Sequence, residues 1–200
     1  MKRLIISILS GFVFLPSAYA SWEWKGDMPS LINAVIAGAE NSIGKFSNAP
    51  PVNLKWCEKG PYYDISKKTI CFEPSFMSQM ASIGDAAVAY VAAHEYAHHI
   101  VHSRPDLKKL TKGNILREEL QADCFAGTIL STIPNVFFDE SDLKEMLKAA
   151  SLLGDREFDN FENHHGNGEN RALALRSGIR FGASKGKVKD LYFTMFCSQE

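Results

Sequence analysis

The chain has 200 residues, 46% of them apolar, with 22 Lys and Arg against 23 Asp and Glu and a net charge of −1. This length and apolar share suffice for one buried core and exclude a disordered protein. The balanced charge excludes electrostatic attraction to nucleic acid as a basis for function.

The chain opens with Lys2-Arg3, runs through apolar residues from Leu4 to Leu15 interrupted by Ser7, Ser10 and Gly11, and reaches Ala18-Tyr19-Ala20. A charged start, a greasy middle and a small-x-small end predict a secretory signal peptide over 1–20, cut after Ala20, and a single domain over 21–200. The apolar run falls short of the roughly 20 residues that span a bilayer, and no later stretch is longer. No cysteine near the cut offers a thiol for lipid. The expected product is an exported protein, periplasmic or secreted, with no transmembrane segment and a net charge of −3 once Lys2 and Arg3 are removed. Its oligomeric state is not encoded in any feature of the sequence.

In chain order, Leu31, Ile32, Val35, Ile36, Ala39 and Ile43 recur at helical steps behind Pro29-Ser30 and predict an amphipathic helix to about Lys45. Strands are predicted over 52–57, 62–65 and 69–72, the last two forming a hairpin from Tyr62 to Phe72 across Ser66-Lys67-Lys68. Pro74 then leads through a bridging stretch to Asp85, which can cap a long helix ending near Ser103 before Pro105. A turn is expected from Pro105 to Gly113. Helices follow from about Asn114 to Thr132, from Glu140 to Leu153, and from Arg171 to about Phe181, with a polar loop from Asp155 to Gly168. The four cysteines suit an oxidising compartment. Cys57 and Cys71, both on candidate strands, are the preferred disulfide pair. Cys124 is either a buried free thiol or the partner of Cys197.

The chemistry concentrates in His94-Glu95-Tyr96-Ala97-His98. Four residues at 3.6 per turn bring the two imidazoles to one helix face, where both can ligate one zinc. Glu95 beside the first ligand can then take a proton from water attacking a carbonyl. The apolar run Val88 to Ala93 just before them argues for burial, and buried polar groups need partners. A catalytic zinc requires a third protein ligand. A histidine six residues past the second is ruled out, because position 104 is Arg. His102 lies about 12 Å along the helix axis from His94, too far to share its metal. Glu119, on the following helix, is the better candidate, and Asp123 one turn on can accept from the far nitrogen of a ligating imidazole.

Taken together, His94-Glu95-Tyr96-Ala97-His98, Glu119-Leu120-Gln121-Ala122-Asp123 and His165-Gly166 with Arg171 resemble the neutral zinc metallopeptidase family of bacteria. That family is a relative of the CAAX prenyl protease type of gluzincin. The resemblance spans about Tyr62 to Gly178 and implies an α+β, zincin-like fold: a small mixed or antiparallel sheet, an active-site helix and a mainly helical C-terminal half. It implies one zinc on His94, His98 and Glu119, with Glu95 catalytic and Asp123 behind the ligands. It further implies His165 as a donor to the tetrahedral oxyanion, and Arg171 holding that loop by pairing with a buried acid, Asp123 among the candidates. From the residues alone His165, like His164 beside it, can equally be a plain loop histidine.

The function read from these residues is hydrolysis of peptide bonds, with a peptide or protein substrate held along the Tyr62 to Phe72 hairpin as an added strand. Two other readings fit the same residues: a non-catalytic zinc-bound periplasmic chaperone or binding module, and a zinc amidase acting on cell-wall peptides.

Overall fold

The computed structural model describes residues 27–44, 48–134, 138–154, 165–185 and 197. The leader and cut site expected over residues 1–20, His164 and most of the expected polar loop lie outside the described residues.

The order is α1 (Met28–Ala39), a π turn (Glu40–Gly44), β1 (Asn53–Trp56), β2 (Tyr62–Asp64), β3 (Thr69–Phe72), α2 (Pro74–Ala81), α3 (Asp85–Ser103), α4 (Pro105–Thr111), α5 (Ile115–Thr132), α6 (Glu140–Leu153) and α7 (Gly168–Lys185). This is the α+β, zincin-like arrangement expected. No described helix is long and apolar enough to cross a membrane.

The sheet has order β1-β3-β2, with β1 parallel and β2 antiparallel to β3. Residues of β3 are all buried, whereas β2 lies at an edge. The β2–β3 turn is fixed by Asp64, whose Oδ1 accepts from Ser66 Oγ at 2.7 Å and from the Lys67 amide at 3.1 Å. These bonds hold its carboxyl at about 2. Parallel pairing sets Lys55 against Cys71, and the ladder runs on through the Cys57 amide to Phe72 O at 2.9 Å. Cys57 and Cys71 are bonded with Cα atoms 5.5 Å apart, a pairing made across neighbouring strands and not across the hairpin turn.

Helix α3 is buried almost all round, from Ala86 to Ala97, as a helix at the centre of a core must be. Helices α1, α2, α5 and α6 and strand β2 pack against it. The expected cap at Asp85 does not form: Asp85 is the first helical residue and the cap position is Gly84, with φ +155°. The carboxylate of Glu145, from α6, takes over, accepting from the Ala86 amide at 3.2 Å, and a Cβ on Gly84 would collide with it.

Two segments expected to be irregular are helical. Pro74 opens α2, which buries Met77 and Met80, and Pro105 opens α4, which buries Leu107. The sequence reading takes Pro74 into a bridging stretch and Pro105 as a stop, although proline's fixed φ and missing amide suit the first turn of a new helix equally well. The first helix gives way to the π turn at Glu40, and the last starts at Gly168 instead of Arg171 and runs to Lys185.

The tightest helix pair is α5 against α7. A Cβ on Gly178 would stand 1.9 Å from Cys124 O, and one on Gly127 would stand 2.3 Å from Leu175 O, so the backbones touch directly. Thr128 Oγ1 donates to Cys124 O and Gly178 O at this crossing, and Cys124 is bonded to Cys197, which settles the alternative left open by the sequence. Replacing Gly178 by Ala should therefore force the helices apart and cost about 1–3 kcal/mol by overpacking. Urea unfolding followed by circular dichroism should show a lower midpoint with an unchanged slope.

Candidate metal centre

Helix α3 carries His94, Glu95, His98, His99 and His102 at its C-terminal half, and the short α4 turns the chain so that Glu118, Glu119 and Asp123 of α5 face them. The site forms the floor of a cleft of about 440 Å³, lined also by Pro61, Tyr62, Tyr63 and Ile65 on one side and Leu153, His165 and Arg171 on the other.

Three candidate ligand side chains form a triangle, in which Glu119 offers a different oxygen to each histidine. His94 Nε2 and His98 Nε2 are 3.1 Å apart, His94 Nε2 is 3.3 Å from Glu119 Oε2, and His98 Nε2 is 3.4 Å from Glu119 Oε1. Zinc bonds of about 2.0–2.1 Å at tetrahedral angles place neighbouring ligands roughly 3.3 Å apart. The donor set and its dimensions therefore fit one zinc. Glu95 fits beside it: it is 4% exposed, and its Oε2 is buried with no hydrogen-bond partner among the described residues. Burial raises its pKa.

Behind the triangle is a buried polar hub. Asp123, fully buried, has Oδ1 at 2.9 Å from His94 Nδ1, 2.5 Å from Tyr90 Oη and 3.1 Å from Arg171 Nη2. Its Oδ2 accepts from Arg171 Nε at 2.8 Å. Because Asp123 accepts at Nδ1, the lone pair of His94 is left on Nε2, the side facing Glu119 and His98. Burial alone would raise the Asp123 carboxyl, but Arg171 and His94 outweigh it and keep it low. Arg171, 3% exposed, also donates to Leu153 O at 3.0 Å and reaches Glu119 Oε2 at 3.2 Å. Burial would likewise lower His98, yet the Glu119 and Glu118 carboxylates push it up to about 10. Glu119 is held far below the usual carboxylate range, where burial is overcome by His98 and His94. The site is thus organised to attract positive charge.

Of the residues picked from the sequence, His94, Glu95, His98, Glu119, Asp123 and Arg171 meet in this cluster, while His165 lies exposed on the cleft wall. His99, beside the second candidate ligand, is turned elsewhere. Its Nε2 donates to Pro50 O at 2.7 Å, so its Nδ1 accepts from Tyr63 Oη at 2.9 Å, and the ring ties α3 to the edge strand. Tyr90 and the Glu118–His102 pair were not anticipated. Tyr90 stands four residues before His94 on the same helix face, a spacing that could have flagged it.

A model of the family described as "Putative neutral zinc metallopeptidase" matches residues 54–167. The uncharacterized protein YpfJ of Escherichia coli K12 is 34% identical over 112 residues, which is 48% of this chain and 39% of YpfJ. The uncharacterized protein Rv2575 of Mycobacterium tuberculosis H37Rv is 32% identical over 120 residues, 49% of this chain and 41% of Rv2575. The match thus spans about two fifths of these relatives. No solved structure matches the chain.

Replacing Asp123 by Ala leaves Arg171 buried without its main counter-charge, a change that costs about 3–5 kcal/mol in comparable buried pairs. Denaturant titration of this variant should show a loss of that size, and a change under 1 kcal/mol would contradict the hub.

Proposed function

The chain belongs to the neutral zinc metallopeptidase family, and we propose that it is a zinc-dependent endopeptidase acting outside the cytoplasm. The observation that carries this reading is the triangle of His94 Nε2, His98 Nε2 and Glu119 carboxylate oxygens, with Glu95 beside it and its buried Oε2 without a partner among the described residues. These three side chains would hold one zinc per chain, and the ion supplies Lewis acidity that polarises a carbonyl and acidifies water.

The remaining roles fall to the protein. Glu95, raised by burial toward neutrality, takes the proton of the attacking water and returns it to the leaving amine. Water's oxygen forms the new bond to the carbonyl carbon, the C–N bond breaks, and no covalent enzyme intermediate is needed. Asp123 keeps His94 in its ligating tautomer, and Arg171 keeps Asp123 in place. His165, on the cleft wall, is the proposed donor to the oxyanion. An extended peptide lies along the free edge of β2, whose Tyr62 and Tyr63 line the cleft, and pairs with it as an added strand. Disulfides between Cys57 and Cys71 and between Cys124 and Cys197 support export through the leader proposed for residues 1–20.

Glu95→Gln should lower kcat on an unfolded protein substrate by about 10²–10⁴-fold while zinc content and the melting temperature stay near those of the parent. A chelator should abolish the parent's activity, and one equivalent of zinc should restore it. Unchanged turnover in Glu95→Gln would sink the peptidase mechanism, and a zinc-loaded parent inactive on every peptide substrate would leave a zinc-holding binding module.

A further inference from the structure

His94, His98 and His102 climb one face of α3 at four-residue steps, and two consecutive carboxylates of α5 face them. Glu119 faces the first step, reaching both Nε2 atoms. Glu118 faces the second: its Oε1 lies 2.5 Å from His102 Nε2 and 3.7 Å from His98 Nδ1. His98 is thus flanked at both ring nitrogens by neighbouring glutamates.

The two steps match in composition but not in dimension. Ligand atoms around a zinc ion stand roughly 3.3 Å apart, which the first step meets. The 2.5 Å between His102 and Glu118 is the length of a strong hydrogen bond, too short for two ligands of one ion. The first step has the spacing of zinc ligands, and the second that of a hydrogen-bonded pair.

Resting on the zinc reading above, we infer that Glu118, held in place by His102, is a positioning residue for the ligand His98. Its carboxylate stands 3.7 Å from His98 Nδ1, where its charge favours the tautomer that carries the proton on Nδ1 and leaves the Nε2 lone pair for the metal, the role Asp123 plays for His94 by a direct contact at 2.9 Å. The two acceptors differ in anchoring. Asp123 is fully buried and gripped by Arg171 and Tyr90, whereas the Glu118 side chain is 21% exposed on the cleft floor. His102 supplies the second contact that Glu118 needs. The His102 ring in turn stands 6.0 Å from that of Tyr63, on the strand proposed to hold substrate, so the pair joins that strand to a metal ligand.

The test is the zinc dissociation constant, measured by competition with a chromophoric chelator, for the parent, Glu118→Gln, His102→Ala and the double variant. Absorption of the Co(II)-loaded proteins reports ligand geometry independently of activity. Glu118→Gln should bind zinc about 10- to 100-fold more weakly, and His102→Ala should lose less. The double variant should be no weaker than Glu118→Gln alone, because His102 acts through Glu118. Equal affinity in the parent and Glu118→Gln, or multiplying losses in the double variant, overturns the inference. So does uptake of two ions by the parent with the second lost in His102→Ala, which would make the second step a metal site in its own right. If Glu118→Gln fails to fold, His102→Ala decides, and unchanged affinity there overturns the inference. A parent that binds no zinc removes the zinc reading too, whereas a parent that binds zinc normally beside an unaffected Glu118→Gln removes this inference alone.

Discussion

Asp123 is the residue on which the other parts of the site depend, because a carboxylate with no exposure to water must find all its partners inside the protein. It finds them on two elements, Tyr90 and His94 on α3 and Arg171 on α7, which converge on α5. Satisfying that one charge fixes the mutual placement of three helices to within hydrogen-bond tolerance. The candidate metal ligands inherit this precision, since His94 is oriented by Asp123 directly and Glu119 lies one turn before it on the same helix.

The surrounding packing serves the same requirement. Arg171 can reach Asp123 only if α7 lies close against α5, and glycines at 127 and 178 remove the side chains that would hold the backbones apart. The Cys124–Cys197 bond anchors residue 197 to α5 beside this crossing. On the other side of the cleft, His99 spends both ring nitrogens on Pro50 and Tyr63, which places the edge strand relative to α3. Adjacent histidines on one helix thus divide the work: His98 faces the ligand triangle and His99 holds the wall.

The asymmetry between Asp123 and Glu118 has a plain physical source. Both carboxylates face a ligand imidazole, but one is sealed in the core and the other borders the cleft. A sealed carboxylate needs a permanent counter-charge, supplied by arginine, which stays protonated at any physiological pH. A bordering one, Glu118, is steadied by His102.

The sequence alone determined the elements whose signals are local. His94 and His98 are legible because helical periodicity puts them on one face over a single turn, with Glu95 adjacent. The start of α5 at Asn114, its break at Pro134 and the close of α6 at Gly154 were read from those residues, whereas the cap of α6 at Asp139 was not. The need for a third ligand was also legible, with Glu119 on the following helix as the candidate for it and Asp123 one turn on as the acceptor behind the ligands. Helices α2 and α4 were missed because a proline marks an end and a beginning with the same residue. Only the tertiary structure decided that β1 runs parallel to β3, that Cys124 meets Cys197, that Arg171 takes Asp123 as its acid, and that Glu118 and His102 pair beside His98. Each of these contacts joins residues on different elements, and which partners meet there is set by how the helices pack, a geometry that no local repeat in the chain encodes.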